Sequence, residues 1–268
     1  MQKWNHHMTD RYSKGSCVVL MTATINPPNE AFNLKRIDCK QRENDYIEAL
    51  KYYLSIPEQY VKKIIFAENS NSDLSNLKRL VKDISPDKTV EFIEYRDGNN
   101  FPPHYGRGYG ELKLIDYVVE NSYILEENDI VWKVTGRHKL LNIIDLIESQ
   151  PNNFAVYCDL RKYRINAADT RVYAFTLQGY KKYLYNKYVM LKEKDERDGP
   201  KNIMAGEVAW FNLIYANRYD KLIFPRFKYV PNFDGIMGTK NESSASVTEK
   251  KKYALRTIFR KVFPHIWV

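Results

Sequence analysis

Hydrophobic and polar positions alternate along this chain in a repeating order: a short apolar run, a small or charged cluster, then a stretch with helical spacing. Four runs end abruptly in this way. Cys17–Met21 opens into Thr22-Ala23-Thr24-Ile25-Asn26-Pro27-Pro28, and Ile64–Phe66 into Ala67-Glu68-Asn69-Ser70-Asn71-Ser72. Ile130–Trp132 opens into Lys133-Val134-Thr135-Gly136-Arg137, and Phe154–Tyr157 into Cys158-Asp159-Leu160-Arg161. Short apolar runs separated by helical spacing predict an α/β domain with a mostly parallel sheet flanked by helices. Ligands bind such sheets outside the carboxyl ends of the strands, where all four polar clusters fall.

The same periodicities place the other elements. Helices are expected over Arg42–Leu54, Leu74–Val81, Glu111–Asn121, Leu140–Ser149, Leu177–Leu191 and Glu207–Tyr215, and further strands over Val90–Tyr95 and Arg171–Phe175. Gly98–Gly110, with Pro102-Pro103 and three glycines, reads as a loop, and Lys192–Lys201 as a charged loop or lid. Phe224–Gly238 reads as irregular, with Phe233-Asp234-Gly235 a turn, and Asn241–Ser246 as a flexible, Ser-rich link. The expected organisation is one α/β catalytic domain over 1–240, a linker over 241–248 and a basic amphipathic helix over 249–268. That helix sets Lys250, Lys251, Lys252, Arg256, Arg260 and Lys261 against Tyr253, Leu255, Ile258, Phe259, Val262, Phe263, Ile266 and Trp267. It suits either a membrane interface or docking on the domain.

Length and composition narrow the function classes. A chain of 268 residues, 44% hydrophobic and 28% charged, can bury a substantial core of its own. A net charge of +9 points to anionic partners: nucleic acid, phosphorylated ligands or an acidic leaflet. The 21 Tyr, 12 Phe and 4 Trp offer stacking faces for sugars or bases, or simply reflect a Tyr-rich composition. Cys17, Cys39 and Cys158 have no metal-ligand spacing and favour a reducing compartment. Met1–Lys14 lacks the apolar region of a secretory signal, and no run of about 18 apolar residues appears. A cytoplasmic protein is expected, held at most at a membrane surface.

Several clusters carry candidate chemistry. No phosphate-loop motif and no Gly-x-Gly-x-x-Gly after the first strand is present. Gly106–Gly110, with Lys113 just beyond, offers backbone N–H groups and a cation to a phosphate, or is only a set of turns. Lys133-Val134-Thr135-Gly136-Arg137-His138 places two cations and a hydroxyl around a glycine at a strand end, an arrangement that needs an anion or open water. Asp159 could hold a metal, ribose hydroxyls or an acceptor, or pair with Arg161 or Arg164. With Arg at 161, no second acid completes a divalent-metal pair, so a bound metal is not expected. Glu207, at a helix start, is either a dipole partner or a general base. Of five histidines only His104 and His138 lie near these clusters.

The order of Thr22-Ala23-Thr24-Ile25-Asn26-Pro27, Glu68-Asn69-Ser70, Gly106–Glu111, Lys133–Arg137 and Gly206-Glu207 resembles GT-A-type bacterial glycosyltransferases of O-antigen and capsule clusters. It departs from them in lacking an Asp-x-Asp metal motif. The resemblance implies a GT-A-like, Rossmann-like fold and a nucleotide-sugar donor. It implies that Thr22, Thr24, Asn26, Glu68 and Asn69 line the nucleotide pocket, and that Gly110 and Lys113 lie beside the diphosphate. Lys133, Thr135, Gly136 and Arg137 would hold donor sugar and phosphates. Glu207 would be the acceptor-side base, with Asp159 the alternative, and Arg161 and His104 would contact the acceptor. That acceptor would be a glycan or lipid-linked hydroxyl, met at an anionic membrane surface through the terminal helix, with metal-independent, inverting transfer. The competing reading is a non-catalytic nucleic-acid-binding protein, which the +9 charge favours. Its basic residues, however, are dispersed, and the terminal helix is as aromatic as it is basic.

Overall fold

The computed structural model describes residues 17–28, 34–84, 87–96, 98–162, 166–193, 206–237, 241–243, 246–263 and 267. Strands β1 (Cys17–Ala23), β2 (Lys63–Glu68) and β3 (Thr89–Glu94) are joined by helices α1 (Cys39–Ser55) and α2 (Ser75–Ile84). Helix α3 (Gly106–Asn121) leads to β4 (Ile130–Thr135), β5 (His138–Leu140) and α4 (Ile143–Glu148). Then follow β6 (Val156–Tyr157), β7 (Leu160–Arg161), β8 (Ala167–Ala168), β9 (Val172–Thr176) and α5 (Leu177–Tyr183). Helix α6 (Gly206–Ala216), strands β10 (Ile223–Phe224), β11 (Phe233–Met237) and β12 (Glu242–Ser243), and α7 (Val247–Val262) complete the order.

Seven strands form one sheet in the order β10-β6-β9-β4-β1-β2-β3. β9 runs antiparallel to both its neighbours, β4 and β6, and the other pairings are parallel. The predicted mostly parallel α/β sheet flanked by helices is thus the fold. The chain builds outward from β1 through β2 to β3, then returns to place β4 on the other flank of β1. The order reverses between β1 and β4, and the carboxyl ends of these two strands open the crevice where α/β sheets bind ligands.

Period-two alternation divides the core. On β1, Val18 and Leu20 join the cluster under α3, α5 and α6, while Val19 and Met21 join the one under α1, α2 and α4. On β4, Val131 faces the first side and Trp132 and Val134 the second. Thr22, Lys133 and Thr135 therefore fall on the α3 side, at the sheet's carboxyl edge.

Some elements differ from the sequence reading. Helix α3 starts at Gly106, so the three glycines are its first turns rather than a loop. Its entry needs a positive φ, 81° at Gly106, which a side chain would strain. Leu140 closes β5, and only 143–148 are helical nearby. Phe233-Asp234-Gly235 is strand, not turn: it pairs antiparallel with Leu140, Lys139 and His138 of β5. Within the expected linker, Glu242–Ser243 pair with β11 and Val247 already begins α7. The helix expected over Leu177–Leu191 stops at Tyr183, followed by a 3-10 turn at Tyr188–Leu191. Most of the charged run Lys192–Lys201 lies outside the described residues, as do Arg164, His265 and Ile266.

Candidate active site

A cleft of about 450 Å³ opens over the carboxyl ends of β1 and β4. Among the described residues, its walls include Thr22, Thr24, Asn69, Gly110, Thr135, Arg137, Arg161 and Glu207 of the expected set. The polar ends of β1 and β4 thus meet in one cleft, with Asn69 after β2 and Arg161 of β7 at its sides and further walls from α1, α3, α6 and α7.

The floor is built on Glu111, in the second turn of α3. Its Oε1 accepts a hydrogen bond from Thr22 Oγ1 at 2.7 Å and lies 2.6 Å from Lys133 Nζ and 3.5 Å from Thr135 Oγ1. Lys133 is fully buried beneath, and its ammonium also donates to the Thr170 carbonyl at 2.7 Å. Burial lowers the Lys133 pKa, against the opposing pull of Glu111. The anion this strand-end lysine requires is therefore supplied from within the chain, and Lys133 does not itself line the cleft. Glu111 stands in the quoted pattern Gly106–Glu111 without a role of its own. Strand alternation puts Thr22, Lys133 and Thr135 on one face, but no spacing in the sequence connects them to Glu111 on α3.

Gly136 lets β4 end against β1. Its N–H donates to the Thr22 carbonyl at 2.9 Å, and a Cβ there would lie 2.8 Å from that same oxygen. The next residue, Arg137, turns inward, donating from one guanidinium nitrogen to the Ile236 carbonyl at 2.8 Å. It makes no salt bridge among the described residues, and it lines the cleft. Burial holds its pKa below the ordinary value, and Arg42 and Arg107 add repulsion. A guanidinium remains charged even so, which leaves a desolvated cation facing the cleft.

The expected nucleotide side divides in two. Thr24 Oγ1 donates to Asn69 Oδ1 at 2.7 Å, and both residues line the cleft. Arg42, which sequence reasoning overlooked, holds this loop by donating to the Thr24 carbonyl at 2.8 Å. Glu68 does not face the cleft. Its carboxylate accepts the backbone N–H groups of Ile25 at 3.0 Å and Ser70 at 2.8 Å, clamping the β1–α1 connection to the end of β2. Asn26 borders a separate shallow hollow with Asn69 and Ser70. Lys113 lies over the rings of Tyr95 and Phe101, at 5.6 and 6.0 Å, outside the cleft lining.

On the other side, Glu207 is exposed in the first turn of α6 and lines the cleft. Glu193 faces it. Burial raises the Glu193 pKa, Arg107 opposes that and Glu207 adds to it. Glu193 was hidden in the charge run; its backbone N–H donates to the Tyr105 carbonyl at 3.0 Å, at the entry of α3. Asp159, the expected alternative base, is closed off instead. It is 1% exposed, and its two carboxylate oxygens accept from a single Arg260 guanidinium nitrogen at 2.8 and 3.0 Å. His104 also lies outside the cleft lining, edge-on to Tyr105.

No family model matches the sequence, and no curated protein matches it. Solved structures do superpose on it. A 4-diphosphocytidyl-2C-methyl-D-erythritol synthase from Anaerococcus prevotii is 10% identical, with 94% of this chain and 98% of that one covered and a TM-score of 0.46. An inositol-1-phosphate CTP transferase from T. maritima is 13% identical over 92% and 96% of the two chains, with a TM-score of 0.48. A glucosyl-3-phosphoglycerate synthase from Mycobacterium tuberculosis is 11% identical over 63% and 58%, with a TM-score of 0.34.

Proposed function

We propose that this chain moves a sugar from a nucleoside-diphosphate donor to a hydroxyl of a glycan or lipid-linked acceptor, with inversion and without a metal, in bacterial surface-glycan synthesis. The observation that carries this reading is the pairing, in one switch-point cleft, of the desolvated Arg137 with the exposed Glu207. Glu207 would take the proton of the acceptor hydroxyl as its oxygen attacks the anomeric carbon. The bond from that carbon to the diphosphate breaks, and Arg137 with Arg107 would stabilise the charge on the leaving nucleoside diphosphate.

A thermal-shift screen against UDP-, GDP- and dTDP-sugars, with a CMP-sugar as the single-phosphate control, tests this directly. One donor class should raise Tm equally in EDTA and in Mn²⁺. Arg137→Ala should keep the protein folded but weaken that donor by about 1.5–3 kcal/mol, roughly 10- to 150-fold in Kd. Binding that appears only with Mn²⁺, or an unchanged affinity in Arg137→Ala, would overturn the assignment.

The reading includes peripheral attachment to the inner membrane face, and α7 supports it. No helix among the described residues is long and apolar enough to cross a membrane. Yet Leu255, Ile258 and Val262 are 57%, 57% and 60% exposed, on the side of α7 opposite the buried Arg260. Lys251 and Lys261 are exposed with them, giving an apolar stripe edged with positive charge. Flotation with anionic vesicles, lost in Ile258→Glu and weak with neutral vesicles, is the expected result. Retention on DNA at moderate salt in place of flotation would favour the nucleic-acid alternative.

A further inference from the structure

Helix α7 has a second side, and it faces the cleft. Lys252, Arg256 and Arg260 recur every four residues and so share one stripe of the helix. Arg260 fixes that stripe against the domain, bonding Asp159 and the carbonyls of Phe227 at 2.8 Å and Tyr229 at 3.0 Å. One turn earlier, Arg256 is half-buried and lines the cleft. Across from it stand Arg161 of β7 and Arg171 of the β8–β9 turn, both lining the same cleft.

Arg161 and Arg171 share the buried carboxylate of Asp169, and Arg161 Nε also lies 3.9 Å from Asp159, which Arg260 already holds. Asp169 accepts from Arg161 and, at 2.8 and 2.7 Å, from two nitrogens of Arg171. Arg256 makes no salt bridge among the described residues; Arg161 and Arg171 repel it and Asp169 and Asp159 attract it, so with Arg260 four guanidiniums stand around two carboxylates. The nearby Glu249 already pairs with Lys252 at 2.7 Å. Positive charge is thus in excess at a partly desolvated site, which is costly unless an anion enters. None of these residues belongs to the Arg137 and Arg107 pair given to the donor diphosphate.

We propose that Arg161, Arg171 and Arg256 form a second anion subsite, which takes a phosphate or diphosphate ester group carried by the acceptor. The anion-binding part stands on the side-chain cluster alone; the word acceptor rests on the glycosyl-transfer reading. Guanidinium forks suit phosphate oxygens because each offers two parallel N–H donors.

Isothermal titration of the full chain with inorganic pyrophosphate at low salt tests the subsite. In an Arg137→Ala background pyrophosphate should still bind, and adding Arg256→Gln should weaken it at least tenfold. Arg256→Lys should recover part of the loss, and Tm should hold because Arg256 is bridged to no carboxylate. Arg256→Gln alone should leave nucleoside-diphosphate binding unchanged. Pyrophosphate binding abolished by Arg137→Ala, or indifferent to Arg256→Gln, would overturn the proposal. A pyrophosphate site that responds to Arg256 while no nucleotide sugar binds would keep the subsite and remove the glycosyl-transfer reading. Farnesyl diphosphate is the second arm. Affinity tenfold above pyrophosphate identifies a lipid-borne ester, and equal affinity identifies a soluble one.

Discussion

Glu207→Gln is expected to lower kcat about 10²- to 10⁴-fold while leaving donor affinity unchanged. The substitution keeps the size and hydrogen-bonding shape of the side chain and removes only its capacity to accept a proton. Glu207 stands at the N-terminus of α6, exposed to the cleft, where an acceptor hydroxyl can reach it. Glu193 is the neighbour that makes the test sharp. Burial raises its pKa, Glu207 adds to the rise and Arg107 opposes it, so its carboxylate takes up a proton at higher pH than an ordinary glutamate and is itself a candidate proton acceptor. Steady-state kinetics of both glutamine variants decide the matter. Near-normal turnover in Glu207→Gln with an inactive Glu193→Gln would move the proton-accepting role to Glu193.

The second large effect is on stability. Asp159→Ala should cost about 3–5 kcal/mol, because it leaves the Arg260 guanidinium buried without its carboxylate. The carbonyls of Phe227 and Tyr229 still accept from Arg260, so the helix should loosen rather than detach. Urea unfolding should show a lower midpoint with an unchanged slope. Removing both charges in Asp159→Leu/Arg260→Met should recover most of the loss, since the cost lies in the orphaned charge rather than in the missing pair. An Asp159→Ala protein of normal stability that had lost turnover would return Asp159 to the chemistry.

The sheet was legible because its strands are buried on both faces and read as apolar runs, and because their polar ends recur at one edge. What escaped the sequence depended on contacts distant in the chain. Gly106–Gly110 read as a loop because glycine lowers helix propensity, but close packing at the cleft keeps those residues helical. Phe233-Asp234-Gly235 carries turn chemistry locally, and pairing with β5 overrides it. The same limit governs the site. Arg137 and Glu207 could be placed from strand and helix ends, whereas the partners of Lys133, Glu68 and Asp159 could not. Each of those charges is satisfied by a residue or loop that no spacing rule connects to it: Glu111, the backbone of Ile25 and Ser70, and Arg260. A charged residue at a strand end shows that an anion or cation is needed, but not whether the protein itself provides it.

The reversal of strand order between β1 and β4 has a consequence for cooperativity. Residues between these strands lie to one flank of β1 and most of those after β4 to the other, so the lips of the cleft belong to two halves of the chain. The floor contacts of Glu111 with Thr22 and Lys133 stitch that seam from below. A ligand seated across it binds both halves at once, and its binding free energy becomes resistance to their separation. Hydrogen exchange in β1 and β4 would then slow together, although the two strands enter the sheet more than a hundred residues apart.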